Sequence, residues 1–315
     1  MKNGAAEAQP GSASQPRSTR GASLTVRKQS LRVVKLVLSL GFWSVFETVR
    51  FLLRLARIGR AGTATVIYYH RVDPHERERF ARQLDHLRKW AHPIRADRQE
   101  PLPRNAHSVA VTFDDGWQSF AEIAFPELER RRIPVTLFAV AGRLGQKLED
   151  DSAESLISEQ QLRSLVARGV TVGSHSLTHC ALTRLSEAEA LYELRESRRL
   201  LSDLLKQEVV LFAFPLSQSN DRLIRLCYET GYQRVFTGLP YVTHSQFDAF
   251  AIGRVRVDPS DWLLEFHLKI MGAYRWLPAA FAAKRGLRSA VRWLLGASSS
   301  GRDQGPSRSQ PAKPI

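Results

Sequence analysis

The chain has 315 residues, 43% hydrophobic and 24% charged, with a formal net charge of +15; this globular composition excludes a wholly disordered chain. Its two cysteines, Cys180 and Cys227, exclude a disulfide framework, so the fold needs no oxidising compartment. Residues 1–60 hold eleven Lys/Arg against two Glu and residues 273–315 hold eight against one Asp, leaving the middle nearly neutral. That polarity argues against nucleic acid as a partner and for terminal segments that meet an anionic membrane surface.

In chain order, residues 1–23 are rich in Ala, Gly, Ser, Gln and Pro, and a disordered basic tail is expected over 1–30. Residues 31–60 open on the long apolar run LRVVKLVLSLGFWSVFETVRFLLRLARI. Arg32, Lys35, Ser39, Glu47, Arg50, Arg54 and Arg57 recur there at helical spacing and gather on one narrow face. Leu36, Leu40, Val45, Val49 and Leu53 belong to the broad apolar face opposite. Such a helix suits the bilayer interface, its basic stripe towards lipid headgroups. Charges interrupt the run and no small-residue cleavage site follows, so a cleaved signal peptide is not expected. The expectation is a membrane-associated protein, peripheral or N-terminally anchored.

From residue 64 the pattern alternates. Strand-like runs fall at 64–70, 108–113, 134–140, 169–174, 209–214, 233–237 and 251–257. Amphipathic helical stretches lie between them at about 76–90, 117–131, 158–168, 185–206 and 219–231. Residues 94–107 read as a polar connection containing proline. Alternation of this kind predicts an α/β fold of parallel strands with right-handed crossovers. Helices are also expected just after residue 260 and over about 278–296, ahead of a second disordered tail at 299–315.

The chemistry sits at strand ends. The run Val109–Trp117 (VAVTFDDGW) closes an apolar strand with Asp114 and Asp115, and Gly116 lets the backbone turn away. Another strand ends in Ser174-His175-Ser176-Leu177-Thr178-His179, where a helical turn would bring both imidazoles to one side. A carboxylate and two histidines make a three-ligand site with room for water, the pattern of a catalytic divalent metal, and leave the second carboxylate as a base. Cys180, directly after His179, reads as a small buried residue rather than a fourth ligand.

TFDDG followed by HSLTH, in this order and each at a strand end, resembles the first two motifs of the polysaccharide deacetylases, the NodB-homology or carbohydrate esterase 4 family. The similarity runs over roughly residues 64–260, within a domain drawn at 61–272 and followed by a helical segment at 273–298. The resemblance implies a distorted (β/α)7 barrel, here with an N-terminal amphipathic helix and C-terminal helices. It implies a divalent metal, Zn2+ first with Co2+, Ni2+ or Mn2+ as alternatives, on Asp115, His175 and His179, and Asp114 as the base. The substrate it implies is an N-acetylated polysaccharide, oligosaccharide or lipid-linked saccharide. The alternatives are another amide hydrolase on this scaffold or a carbohydrate-binding pseudoenzyme.

The third motif departs from the family pattern of Arg-x-Pro-Tyr-Gly or Tyr-Pro-Tyr-Gly, reading Phe212-Ala213-Phe214-Pro215-Leu216-Ser217. The backbone N–H of Leu216 is then the expected oxyanion donor. Arg254 is the expected substitute for the missing arginine beside Asp114. No late histidine sits in the family's context. His244 and His267 read as bystanders, and His70, at the end of the first strand, is the expected general acid. Asp258-Pro259-Ser260-Asp261-Trp262 resembles a family buttress motif only superficially, because it follows the last strand.

Overall fold

A computed structural model of the chain describes residues 19–55, 62–148, 154–244 and 249–297. Seven parallel strands close a barrel: β1 (Thr63–Tyr69), β3 (His107–Phe113), β4 (Val135–Ala139), β5 (Thr171–Ser174), β6 (Leu211–Ala213), β7 (Arg234–Thr237) and β9 (Ala251–Arg256). They pair in the order β1–β3–β4–β5–β6–β7–β9, and β9 returns to β1. Two short strands were not foreseen. β2 (His92–Ile94) pairs with Ser108–Ala110, the half of β3 that β4 leaves open. It holds Pro93, tolerated where one strand edge needs no donor. β8 (Thr243–His244) runs antiparallel to the start of β1.

The helices around the barrel are α2 (Arg77–Trp90), α3 (Phe125–Arg130), α4 (Glu159–Ala167), α5 (Glu187–Leu205) and α6 (Asp221–Glu229). Ser158 and Ser186 cap α4 and α5 through capping boxes with Gln161 and Glu189. The stretch expected as one helix over 117–131 is broken. Its first part is a π-helical turn, Phe120–Ala124, and Pro126 stands in the first turn of α3, where it has no N–H to continue the ladder.

Side chains alternate across each strand, as period two requires. Ile67, Val109, Val111 and Leu137 face the helices, whereas Val66, Ala110, Phe138, Ala213, Phe236 and Ile252 fill the barrel. Asp114 continues the inward register of Ala110 and Thr112, and Arg254 follows Ile252 on β9, which sets the two to meet inside the barrel.

Helix α1 (Thr19–Leu55) starts well before Leu31, so residues 19–30 are helical rather than disordered. Residues 1–18 and Arg57 lie outside the described residues, as do 298–315. α1 docks against α7 (Leu263–Ile270) and the start of α8 (Leu277–Ala297). The basic stripe was expected to face lipid, but two of its members, Arg32 and Ser39, face the protein, while Lys35 is exposed. Arg32 pairs with Glu265 at 2.6 Å, donates to the Ser260 carbonyl at 3.1 Å and lies over the Trp262 ring. Ser39 is fully buried and accepts a hydrogen bond from Trp276 Nε1 at 2.9 Å. Leu36, assigned to the apolar outer face, packs with Trp43 against Leu268, Ala273 and Tyr274. No described helix is long and apolar enough to cross a membrane.

Where the strands begin, Trp43 stands edge-on to His267, whose Nδ1 lies 3.0 Å from His86 Nε2. One imidazole donates and the other accepts, so at least the acceptor is neutral. Burial, then the neighbouring His86, pushes His267 down to about 4 from its ordinary 6.5. The unfolded chain therefore binds the extra proton first. Stability from this residue is complete above pH 6.5 and is lost as pH falls through 6.5 towards 4. Partial solvent access limits the loss to about 1–2 kcal/mol. Urea unfolding at pH 7 and pH 5 checks this: His267→Gln should lose less stability between the two than the parent protein.

Candidate metal centre and active site

The strand register brings the site together. Tyr69 of β1 pairs with Phe113 of β3, so His70 and Asp114 emerge side by side, and the Asp114 N–H donates to the Tyr69 carbonyl at 2.9 Å. Ala139 pairs with Ser174, and Ser174 with Phe212. His175 therefore leaves β5 between the ends of β4 and β6, its N–H donating to the Ala139 carbonyl at 2.9 Å.

Asp115 has φ 72° and Gly116 φ 90°. This left-handed pair turns the chain at the strand end and lets Asp115 depart from the inward register of Asp114. Ser176 and His179 are left-handed too, at φ 68° and 67°, and the His179 N–H donates to Ser176 Oγ at 3.0 Å. The two histidines therefore lie on a tight loop after β5 rather than on the helical turn their spacing predicts. Left-handed backbone at non-glycine residues costs on the order of 1–3 kcal/mol each, and such strain gathers at functional sites.

Asp115, His175 and His179 place one ligand atom each within 4.8 Å of one another. Asp115 Oδ1 faces His175 Nε2 at 3.4 Å and His179 Nε2 at 3.2 Å. This oxygen is buried and accepts no hydrogen bond among the described residues. The other carboxylate oxygen accepts from Trp117 Nε1 at 2.9 Å. His175 Nδ1 donates to the Ala213 carbonyl at 2.9 Å, so the lone pair of a neutral ring sits on Nε2. A lone pair aimed at a buried carboxylate oxygen is repulsive unless a cation lies between them. The donor set thus fits a divalent metal, with Trp117 and the Ala213 carbonyl orienting two of its ligands. Burial alone would raise the Asp115 carboxyl, but the imidazoles of His175 and His179 hold it well below the usual carboxylate range. Cys180 is half-buried and lies outside this cluster.

Asp114 is held from within the barrel. Arg254 donates from Nη1 to Oδ1 at 2.6 Å and from Nη2 to Oδ2 at 2.8 Å, with a third bond to Thr112 Oγ1 at 3.1 Å. The guanidinium is fully buried and lies 4.4 Å from the Tyr68 ring centroid. His70 lines a cleft of about 280 Å³ with Asp115, Trp117 and Arg256. Burial lowers its pKa, and the charges of Asp114 and Asp115 partly offset this. Leu216 follows β6 in a left-handed turn with its side chain 55% exposed.

His267 lies where the strands begin, and β8, which contains His244, pairs there with the start of β1. Asp261 pairs with Lys269 at 2.6 Å and with Arg32 at 3.6 Å, so the Asp258–Trp262 turn mainly anchors α1. Sequence reasoning passed over Trp117, although its place two residues after Asp115 in a tight turn was the available signal.

Residues 102–235 match the polysaccharide deacetylase family. The match runs from just before β3 to the start of β7. The chain is 26% identical over 151 residues to YxkH of Bacillus subtilis. It is 27% identical over 139 residues to poly-β-1,6-N-acetyl-D-glucosamine N-deacetylase of Staphylococcus aureus. It spans about half the length of these curated relatives, 52% and 47%. Among solved structures, IcaB from Ammonifex degensii superposes with a TM-score of 0.57 at 29% identity, over 67% of this chain and 97% of that one. The deacetylase PplD of Streptococcus pyogenes shares the fold, with a TM-score of 0.55 at 20% identity over 66% and 98%.

Two outcomes follow for the barrel domain. His179→Ala should lower metal occupancy strongly, because a ligand is lost while the apolar barrel stays whole; metal analysis of purified protein reads this. Trp117→Phe should keep the fold and weaken metal affinity by roughly 10–100-fold, since the indole fixes Asp115; competition with a chelator measures it.

Proposed function

We propose that the protein is a metal-dependent N-deacetylase that hydrolyses N-acetyl groups of an N-acetylated polysaccharide, oligosaccharide or lipid-linked saccharide. The observation that carries this is the pairing of a three-donor cluster with a separate carboxylate, Asp114, locked in place by a buried arginine. Asp115, His175 and His179 would hold the cation; Zn2+ suits two imidazoles and a carboxylate, and Co2+, Ni2+ and Mn2+ suit them as well. When bound, the metal supplies Lewis acidity to the acyl oxygen and to water.

The protein's own groups do the rest. Asp114 accepts the proton of the attacking water; both its oxygens are bonded to Arg254, but each keeps a further lone pair. The Arg254 clamp leaves the carboxylate no rotamer freedom, so the base is positioned before substrate arrives. His70, on the neighbouring strand end, delivers a proton to the departing amine. The Leu216 N–H donates to the acyl oxygen as negative charge develops there. Leu216 stands where the family motif has tyrosine, so an aliphatic side chain meets the sugar and aromatic stacking is absent at this position.

The nature of the S. aureus relative makes poly-N-acetylglucosamine the first substrate to test. In the same reading the enzyme works at an anionic membrane surface of a bacterial cell envelope. Retention of the Arg254–Asp114 pair favours catalysis over the carbohydrate-binding pseudoenzyme. The decisive experiment is mass spectrometry of N-acetylglucosamine oligomers and of small amides after incubation with metal-loaded protein. Release of acetate from the oligomers supports the reading; turnover of small amides alone replaces it with the other amide hydrolase.

Asp114→Asn should keep its metal, because the ligands are untouched, and lose on the order of 10²–10⁴ in turnover. Metal content and acetate release, measured on one preparation, separate base from ligand; loss of metal would reverse the two carboxylate roles.

A further inference from the structure

Helix α1 is amphipathic in the unusual sense that its polar side is the docked one. Arg32 and Ser39 face α7 and the residues that follow it, together with Leu36 and Trp43. The outward side carries Leu31, Val34, Val37, Leu38, Val45 and Val49, all exposed, with Val37 at 61% and Val45 at 68%. At 1.5 Å per residue this strip is roughly 27 Å long. It continues at one end into Trp262, Leu263 and Leu264, each about half exposed, because Arg32 holds α1 against that turn. Phe281 on α8 is exposed as well and lines the same groove as Leu31.

We propose that this face, the outer side of α1 with the Trp262–Leu264 turn, is a bilayer-contact surface that seats the domain flank-on against anionic lipid. The inference deepens the membrane reading above and rests on it. The occupant follows from three observations. The strip is contiguous and apolar, of the kind that marks an interaction site. A tryptophan ends it, with amphipathic character suited to the headgroup level. The flanking chain ends carry the excess positive charge, nineteen Lys/Arg against three acids over residues 1–60 and 273–315. A second copy would bring equally basic flanking segments, whereas an anionic bilayer complements them.

The seating also orients the active site. Arg32 lies at the turn after β9, the end of the barrel that holds the metal ligands, and Trp43 lies beside His267 near the strand starts. α1 therefore runs along the flank, and with that flank on lipid the catalytic mouth opens sideways, along the membrane surface. A groove of about 590 Å³ beside α1 shares Arg256 and Asp258 with the catalytic cleft. It gives a glycan held near the headgroups a lateral path to the site.

The test is flotation of the full-length protein with phosphatidylglycerol–phosphatidylcholine vesicles and with phosphatidylcholine alone. The protein should float with the anionic vesicles. Val37→Glu/Leu38→Glu/Val45→Glu together should lower its partition by a factor of roughly ten or more. Metal content and hydrolysis of a soluble oligosaccharide should be unchanged in this variant, which shows that the domain is folded. Arg32→Gln should leave the protein on the vesicles. The proposal is overturned if the triple variant floats like the parent, or if Arg32→Gln releases it as fully as the triple variant does. It is equally overturned if the parent stays off the vesicles as a dimer that the triple variant splits. Vesicle binding needs no turnover, so failure of the deacetylase reading would show separately, as absent acetate release with flotation intact.

Discussion

The buried pair of Arg254 and Asp114 constrains everything at the mouth of this barrel. A guanidinium with no solvent access, inside a ring of parallel strands, is tolerable only with its charge matched. Asp114 matches it through two bonds of 2.6 and 2.8 Å, Thr112 Oγ1 accepts a third at 3.1 Å, and the Tyr68 and Phe138 rings close over the plane; Nε has no hydrogen-bond partner among the described residues. Removing either partner would strand the other charge, at a cost of about 3–5 kcal/mol. The pair ties β9 to β3 across the barrel interior, so the closure of the sheet and the position of the Asp114 carboxylate are one constraint. It also separates the two adjacent carboxylates chemically. Asp114 belongs to the interior and its arginine, whereas Asp115, turned by a left-handed residue, belongs to the imidazoles.

A second electrostatic junction does for the appendages what this pair does for the barrel. Asp261 and Glu265 are both buried and share Lys269 and Arg32. The turn after β9 thereby becomes the fastening point for a helix that begins far upstream in sequence. Because those acids lie at the N-terminal end of α7, they also oppose its positive dipole end. Arg32 and Ser39 of α1 are taken up in holding the helix to the domain, and the apolar strip on its other side remains outside.

Much of this was legible in the sequence. Seven apolar runs separated by amphipathic stretches anticipated the seven barrel strands within a residue or two, because buried parallel strands must be apolar on both faces. The adjacent acids and the spaced histidines were legible because polar groups that close an apolar strand are costly unless used. Arg254 was nameable as a partner for Asp114 from its place in a strand. What sequence could not give was direction. The stripe of Arg32, Lys35 and Ser39 looks the same whether it meets headgroups or protein, and only the acids at Asp261 and Glu265, over 200 residues away, decide. β2 was hidden because three residues with a proline carry too little periodicity. The left-handed turns at Ser176 and His179 were hidden because neither residue announces positive φ.

The hydrogen bond from His175 to the Ala213 carbonyl bears on how this site can change. A main-chain carbonyl is supplied by any residue at that position, so the ligand is oriented by the path of β6 and not by its side chains. The exposed pair that follows the buried Phe214 and Pro215, Leu216-Ser217, is thereby released from any duty towards that imidazole. It is free to drift under selection for whatever lies in the cleft, while the cation-binding machinery stays intact. The divergent stretch of this chain is the mutable rim of an otherwise rigid centre, and new substrate preferences would be expected to arise there first.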